Sequence, residues 1–223
     1  NPDSVNFPPF ETEDLRKNLT SFLDREERHP ITGEPVKIGN YRWGVYAFFD
    51  YDLEPIYVGQ TNEQVRTRIR RHLTNQRTDA VAMSVLDPFE VFEVEIWPLP
   101  QYDSENKAHL DALENAVYGA ALIKSNFGAI LNEKDPPPSL LRVPIPQSYR
   151  GRLVSESVYS IRSHPDFRIA RRALIISRLA QVISERRVQG GLRRVLLTQA
   201  KRLQWLAQRR YDALGGAISV QSE

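Results

Sequence analysis

Two short apolar segments in the first third of the chain predict a β-hairpin. Residues 45–49 and 56–59 are rich in aromatic and β-branched side chains, which favour strands. The polar connector between them, residues 50–55, ends in Pro55, a residue that is tolerated at the edge of a strand. The alternation of apolar strand and polar turn therefore predicts two adjacent antiparallel strands.

A helix is predicted directly after the hairpin. Apolar residues recur at helical spacing through residues 63–73, and Thr61 or Asn62 can serve as the N-cap. Arg68 and His72 are four residues apart, so they lie on one face of this helix.

The same kind of periodicity predicts elements on both sides of this centre. Helical spacing of apolar residues predicts helices over residues 11–28 and 105–125. Apolar residues alternate with glutamates over residues 89–97, which predicts a third, half-exposed strand.

The C-terminal half has a different pattern. Consecutive prolines in residues 133–149 favour extended backbone and predict a semi-rigid linker. A short helix is predicted beyond it at residues 154–161. Two basic amphipathic helices are predicted at residues 166–186 and 192–214, with Gly190-Gly191 as the break between them.

Charge is distributed unevenly along the chain. The net charge is only +2, but from Arg150 onward 15 arginines and lysines face five acids, giving +10 there and −8 before it. Fourteen of those 15 cations are arginines, which suit bidentate contacts to phosphates and base edges. The asymmetry predicts a polyanionic partner, and the alternative is a helical domain with a solvated basic face.

Composition excludes several classes of protein. The absence of cysteine excludes a disulfide framework and a thiolate zinc site, and it fits a reducing cytosol. No apolar run approaches the roughly 20 residues of a membrane span, and the N-terminus lacks the apolar core of a signal peptide. We therefore expect a soluble, cytoplasmic protein without a membrane partner.

The hairpin and the helix after it resemble the GIY-YIG nuclease superfamily. Residues 44–46 (GVY) stand for the first tripeptide of the family and residues 57–59 (YVG) for the second, ten residues apart as is usual there. The arginine of the following helix matches Arg68, and the histidine one turn later matches His72. Both tripeptides in order, followed by R-x-x-x-H, form a specific signal that covers about residues 43–132.

Two further family positions have candidates downstream. Glu114 lies in the apolar stripe of the long predicted helix, where an unpaired carboxylate is costly, and it matches the metal-binding glutamate of the family. The alternative is a surface glutamate at the boundary of that stripe. The family also has an asparagine after this helix. Spacing favours Asn126 for that position, whereas local context favours Asn132, and both stay candidates.

The resemblance implies metal-dependent phosphodiester hydrolysis. Glu114 would hold Mg²⁺ or Mn²⁺, and Arg68 would clamp the non-bridging phosphate oxygens. Tyr46 would orient or deprotonate the attacking water, and His72 would accept its proton. Tyr57 would position the water or a phosphate oxygen, and which tyrosine acts as the base differs within the family.

Arginines on the helices are expected to contact DNA. The candidates are Arg66, Arg70, Arg71, Arg168, Arg171, Arg172, Arg193 and Arg194. For the first three, a merely solvated side chain is the alternative. The apolar stripes of the C-terminal helices are also expected to mediate a homodimer.

Together these observations predict an α+β fold with a small three-stranded, mainly antiparallel sheet flanked by helices. The predicted segments are an N-terminal arm and helix (1–42), a GIY-YIG nuclease core (43–132), a proline-rich linker (133–149), an arginine-rich helical region for DNA binding or dimerisation (150–214) and a tail (215–223).

The expected function is metal-dependent cleavage of double-stranded DNA. The chain resembles the type II restriction endonucleases of the family in size and in its helical N-terminal arm, so a restriction or phage-defence role is expected first. A homing or mobile-element endonuclease and a structure-specific repair endonuclease are the alternatives. A catalytically inactive DNA-binding protein is the alternative of another class.

Overall fold

The computed structural model describes residues 10–74, 85–101, 106–185 and 190–216. The described helices are α1 Phe10–Leu23, α2 Val65–Leu73, α3 Lys107–Lys124, α4 Glu156–Arg162, α5 Pro165–Glu185 and α6 Gly190–Ala213. The described strands are β1 Glu26–Arg28, β2 Pro35–Lys37, β3 Gly44–Phe49, β4 Pro55–Thr61, β5 Glu93–Pro98 and β6 Tyr149–Arg152. Residues 1–9 of the predicted arm and residues 217–223 of the predicted tail lie outside the described residues.

The fold is α+β, and its central sheet has four strands in the order β4-β3-β5-β6, with every neighbouring pair antiparallel. Strand β3 lies in the middle, and all six of its residues are buried. β1 and β2 form a separate small hairpin.

The prediction of a three-stranded sheet is wrong by one strand. β6, placed by the sequence at the end of the linker and the start of the basic region, pairs with β5. Its residues read YRGR and lack the alternation that predicts a strand. Polar contacts hold it instead, because Arg150 forms ion pairs with Glu93 and Glu95 on β5.

The predicted hairpin is confirmed, and its connector is held by one carboxylate. Oδ1 of Asp50 accepts hydrogen bonds from the backbone nitrogens of Asp52 (2.9 Å) and Glu54 (3.1 Å). Leu53 completes the turn in the left-handed region at φ 60°. Asp50 therefore closes the turn with one oxygen and leaves Oδ2 for other partners.

The helix after the hairpin is confirmed, but its N-terminus is not where the sequence placed it. α2 begins after Gln64, which makes no side-chain capping bond. Thr61 forms hydrogen bonds with the backbone of Glu63 instead, and its hydroxyl both donates to the carbonyl oxygen and accepts from the backbone nitrogen. The predicted N-cap at Thr61 or Asn62 is therefore wrong.

The N-terminal helix is shorter than predicted. α1 ends at Leu23, and residues 26–28, which were predicted to be helical, form β1. Leu15, Leu19 and Leu23 are buried in the same hydrophobic cluster as the sheet residues. The third predicted strand, 89–97, begins only at Glu93, since residues 88–90 form a 3₁₀ turn.

The C-terminal helices share the main hydrophobic core with the sheet. Leu179 and Ile183 of α5 and Leu192 and Val195 of α6 belong to the cluster that covers one face of the sheet, the face with Tyr46 and Phe48 of β3. Gly190-Gly191 was predicted as the break between the last two helices, and these glycines form the first two residues of α6 instead. At the second of these glycines a Cβ would collide with the carbonyl oxygen of Glu133, so only glycine fits.

Candidate active site

Tyr46, Arg68 and His72 meet at the face of the sheet that α2 covers. The Tyr46 hydroxyl lies 3.3 Å from Nδ1 of His72, and Nε of Arg68 donates to Tyr46 Oη over 3.4 Å. Tyr46 comes from β3, and its partners come from one face of α2, as their four-residue spacing predicts. The phenol oxygen is thus held between a permanent cation and an imidazole.

The glycine of the second tripeptide makes room for this phenol. Gly59 lies opposite Tyr46 in the β3–β4 register, so a side chain there would point at the same face. A Cβ on Gly59 would lie 2.6 Å from Tyr46 Oη, which is too close for any side chain. At Gly44 a Cβ would lie 2.6 Å from the carbonyl oxygen of Trp97 on β5. The motif glycines therefore have packing reasons to be glycine.

A cleft of about 400 Å³ opens beside this triad. Residues from five parts of the chain line it, including Tyr57, Arg68, His72, Glu114 and Asn132. The Tyr57 ring packs edge-on against His72, with 4.5 Å between the ring centroids. Most of the residues that the sequence analysis singled out for catalysis therefore surround one cavity.

Tyr46 stands apart in its accessibility. Its side chain is fully buried, with 0% exposure. Only its hydroxyl edge is directed toward the lining residues of the cleft, through Arg68 and His72. The guanidinium of Arg68 is half-buried, and although burial works against its protonation, the hydrogen bond and the attraction of Tyr46 outweigh it and raise the pKa of Arg68.

Glu114 is the buried carboxylate of the cleft. It lies on α3 with 9% exposure, and Nε2 of Gln60 donates to its Oε2 over 2.8 Å. The same nitrogen donates to Oδ1 of Asp111 over 2.9 Å. Burial raises the pKa of Glu114, and the neighbouring charge of Asp111 adds to the rise despite the hydrogen bond from Gln60.

The two candidate asparagines lie in different places. Asn132 lines the cleft, and its side chain is fixed on β4 because Oδ1 accepts from the backbone nitrogen of Val58 (3.0 Å) and Nδ2 donates to its carbonyl oxygen (2.7 Å). Asn126 lies at the hairpin connector, where its backbone nitrogen and its side chain both donate to Glu54. The structure thus brings Asn132, and not Asn126, to the cleft that Arg68, His72 and Glu114 line.

The other arginines of α2 hold neighbouring elements together. Arg66 pairs with Asp24 after α1 (2.7 Å), and Arg70 donates to the Thr20 hydroxyl of α1 (3.1 Å). Arg71 forms a two-pronged pair with Glu63, at 2.6 Å to each oxygen. DNA contact stays a prediction for these residues, of which Arg71 keeps a substantial exposed fraction.

The arginines of α5 that were expected to contact DNA point into the protein. Arg172 has 1% exposure and donates to Glu90 (2.7 Å), to Asp50 (3.2 Å) and to the carbonyl oxygen of Arg202 (2.9 Å). Arg168 is also buried and pairs with Asp52 at 2.6 Å. From these positions the two guanidinium groups do not reach a phosphate, and they hold α5 to the hairpin connector instead.

The remaining candidates differ in exposure. Arg171 forms a bidentate pair with Asp87, at 2.8 Å for both contacts. Arg194 donates to the backbone of Asn132 and pairs with Asp135. Arg193 is exposed on α6. DNA contact therefore stays a prediction for all three arginines. Arg193 is the most exposed of them.

Sequence reasoning missed Gln60 and the acidic partners of the arginines. Gln60 follows the second tripeptide directly, and strand alternation places its side chain on the opposite face from Gly59, towards α3. That signal was available. The pairing of Asp50 and Glu90 with arginines more than 80 residues away has no local signal.

The antiparallel sheet thus presents a tyrosine, an arginine and a histidine beside a cleft with one buried carboxylate, a set of groups that suits phosphodiester hydrolysis. Residues 42–119 match the family model of the GIY-YIG catalytic domain, which supports the resemblance of this segment to the GIY-YIG nuclease superfamily. No curated protein and no solved structure matches the chain significantly. In the described part of the chain, every helix is too short or too polar to cross a membrane.

Proposed function

We propose that the protein is a metal-dependent endonuclease that hydrolyses phosphodiester bonds of double-stranded DNA. The observation that carries this proposal is the Tyr46 hydroxyl held between Arg68 and His72 at the edge of a cleft that also contains Glu114. These groups supply the functions that the reaction needs: a cation for phosphate charge, a proton acceptor and an anionic metal ligand.

Four side chains of the site have separate roles in this reaction. Arg68 binds the non-bridging oxygens of the scissile phosphate, since its hydrogen-bond partner Tyr46 is a phenol and no carboxylate of the described residues forms an ion pair with it. The Tyr46–His72 pair accepts the proton of the attacking water, and Arg68 stabilises negative charge on the Tyr46 oxygen. Tyr57 orients the water or a phosphate oxygen from the cleft wall.

The carboxylate of the cleft fits a divalent cation. The described residues contain no group of three or more histidines, cysteines, aspartates or glutamates around one point, so a site built wholly from protein ligands is not found among them. Mg²⁺ keeps several waters and is bound through one or two carboxylates, which Glu114 and its neighbour Asp111 can provide. The metal would supply charge stabilisation for the leaving oxygen.

A restriction or phage-defence role is the biological setting that we propose. The catalytic residues surround a single cleft in the described part of the chain, and cutting both strands of a duplex at one place therefore calls for two copies of the chain acting together. A homodimer is accordingly part of this proposal, and so is a contact of Arg193 with the DNA backbone.

The test is incubation of the purified protein with long unmethylated duplex DNA and Mg²⁺, beside a Glu114→Gln variant, followed by sequencing of the ends. Discrete ends at one palindromic sequence, absent with the variant, support a restriction-type endonuclease with Glu114 as metal ligand. Cutting by both proteins would refute the assignment of Glu114. Cutting without sequence preference would refute the restriction role.

The full burial of Tyr46 favours one second candidate, a catalytically inactive DNA-binding protein. A base that takes a proton from water must reach that water, and Tyr46 has no exposed surface in this state. The same experiment separates the two: an inactive protein binds the duplex and leaves it intact with Mg²⁺ and with Mn²⁺, on modified and on branched DNA alike.

A further inference from the structure

One wall of the cleft is made by a segment beyond the part of the chain that matches the family. We call residues 133–137 the wall segment, since all five line the cleft. It begins at a fixed point, because Leu131 donates its backbone N–H to Ile56 on β4 (2.8 Å) and Asn132 is bonded to Val58 through both side-chain atoms. The wall segment therefore leaves the sheet edge in a defined direction.

The wall segment is anchored from α6 by Arg194. Nη2 of Arg194 donates to the carbonyl oxygens of Asn132 (3.2 Å) and Glu133 (3.4 Å), and its Nη1 lies 2.9 Å from Oδ1 of Asp135. The close fit of Gly191 against the Glu133 carbonyl brings α6 near enough for these contacts.

Helix α3 anchors the other side of the wall segment. The Tyr118 hydroxyl donates to Asp135 over 2.6 Å, and Nδ2 of Asn115 donates to the carbonyl oxygen of Pro137 over 3.3 Å. Asp135 is thus shared between α3 and α6. Three prolines from Pro136 to Pro138 restrict the backbone further. The segment is consequently a fixed part of the cleft rather than a free loop.

Lys134 is the cation that this wall presents. Its side chain is exposed and lines the same cleft as Arg68 and Glu114. Asp135, its neighbour in the chain, is occupied by Arg194 and Tyr118. Across the described residues, no carboxylate forms an ion pair with Lys134, so its charge is available to a ligand in the cleft.

We propose that Lys134 binds a phosphate that flanks the scissile one on the cleaved DNA strand, and that Arg194 is the positioning residue that holds the wall segment in place for this contact. This inference rests on the proposed function, because it takes the DNA backbone as the ligand of the cleft. It gives α6, which lies outside the matched residues 42–119, a role in shaping the active site.

The first test compares Lys134→Ala with Lys134→Arg in the full-length protein, measuring the rate at which intact unmethylated duplex disappears. We expect kcat/KM to fall about tenfold in Lys134→Ala, mainly through KM, which is the size expected for one charge-assisted hydrogen bond. Lys134→Arg keeps the charge and should restore most of the loss. Lys17→Ala, which removes an exposed lysine from α1, is the matched control and should leave the rate unchanged.

Salt dependence gives a readout that a structural role would not change. Binding of a short fluorescent duplex is measured with Glu114→Gln, alone and combined with Lys134→Ala, over a range of salt concentrations. Loss of one phosphate contact makes the negative slope of log K against log salt shallower by about 0.9. An unchanged slope would overturn the assignment of Lys134, even where the wild-type protein cuts no DNA.

The role of Arg194 is tested by its coupling to Lys134. Arg194→Met should lower kcat/KM about as much as Lys134→Ala does, but should have little further effect when Lys134 is already alanine. Arg178→Met, which removes an exposed arginine from α5, is the control. Multiplying losses in the double variant would refute the coupling.

The two proposals fail in different ways. A wild-type protein that binds duplex but does not cut it refutes the nuclease activity, and the salt slope still decides on Lys134. A wild-type protein that cuts, with Lys134→Ala cutting equally well at every salt concentration, refutes the inference alone. A protein that binds no duplex refutes both.

Discussion

The arginines at the two ends of the hairpin differ in burial and in the partners that they bind. Arg68, beside the cleft, is half-buried and donates to a neutral phenol. Arg172 and Arg202, beside the hairpin connector, are almost fully buried and share Oδ2 of Asp50, at 3.2 Å and 2.7 Å. A guanidinium that forms no ion pair with a carboxylate can bind a phosphate, whereas one that is already paired with carboxylates stabilises the fold.

The pKa values of Arg68 and Arg172 shift in opposite directions. The pKa of Arg68 is raised, because the contact with Tyr46 outweighs burial. The pKa of Arg172 is lowered by burial and by repulsion from Arg202, against the attraction of Glu90 and Asp50. We call Asp50, Glu90, Arg172 and Arg202 the buried cluster. Removing one of its side chains leaves a charge of the opposite sign in the protein interior without one of its partners.

The largest expected effect is the loss of Arg172. Arg172→Met removes the buried guanidinium that donates to both Glu90 and Asp50, so the free energy of unfolding should fall by about 3–5 kcal/mol. Denaturant unfolding followed by circular dichroism measures it. Arg210→Met, which removes a partly exposed α6 arginine that pairs with the exposed Asp166, is the control and should leave the midpoint nearly unchanged. A small loss of unfolding free energy in Arg172→Met would mean that the remaining arginine contacts are sufficient to stabilise Asp50 and Glu90.

The loss of Arg68 should have the opposite signature. Arg68→Met removes the cation that faces the scissile phosphate, so kcat should fall by about 10²–10³-fold. Stability should change little, because no carboxylate loses its partner. Cleavage kinetics and thermal unfolding of the same preparation measure both quantities. A variant that unfolds easily but retains its activity per folded molecule would place Arg68 among the structural arginines.

A smaller effect is expected at Glu114, where function opposes stability. Its folded-state pKa is raised, so the charged carboxylate costs stability once the pH rises above the ordinary value of 4.5, and this cost is absent below that value. Glu114→Gln should therefore unfold about 1–4 °C higher than the wild type at neutral pH, with no difference in acid. Melting curves at several pH values measure this. A wild type that is more stable at neutral pH would contradict the prediction.

The local elements were predictable because their signals are local. The hairpin, α2 and α3 have regular apolar spacing, and the tripeptides with Arg68 and His72 identify the catalytic face. β6 was missed because the YRGR segment has no apolar alternation and is held by Arg150 pairing with β5. The fate of the C-terminal arginines was not predictable, since Asp50 and Arg202 are 152 residues apart and arginine composition is the same for a surface that binds DNA and for a buried cluster.

The anchoring of the wall segment by α6 has a consequence for synthesis of the protein. The hairpin and Asn132 leave the ribosome well before α6, by several seconds at about 5–20 residues per second. Until α6 arrives, the sheet lacks Leu192 and Val195 in its core, and the wall segment lacks Arg194. A nascent or truncated chain thus has the family's catalytic residues without a finished cleft. The complete cleft is therefore available only after α6 has been synthesised and has packed against the sheet.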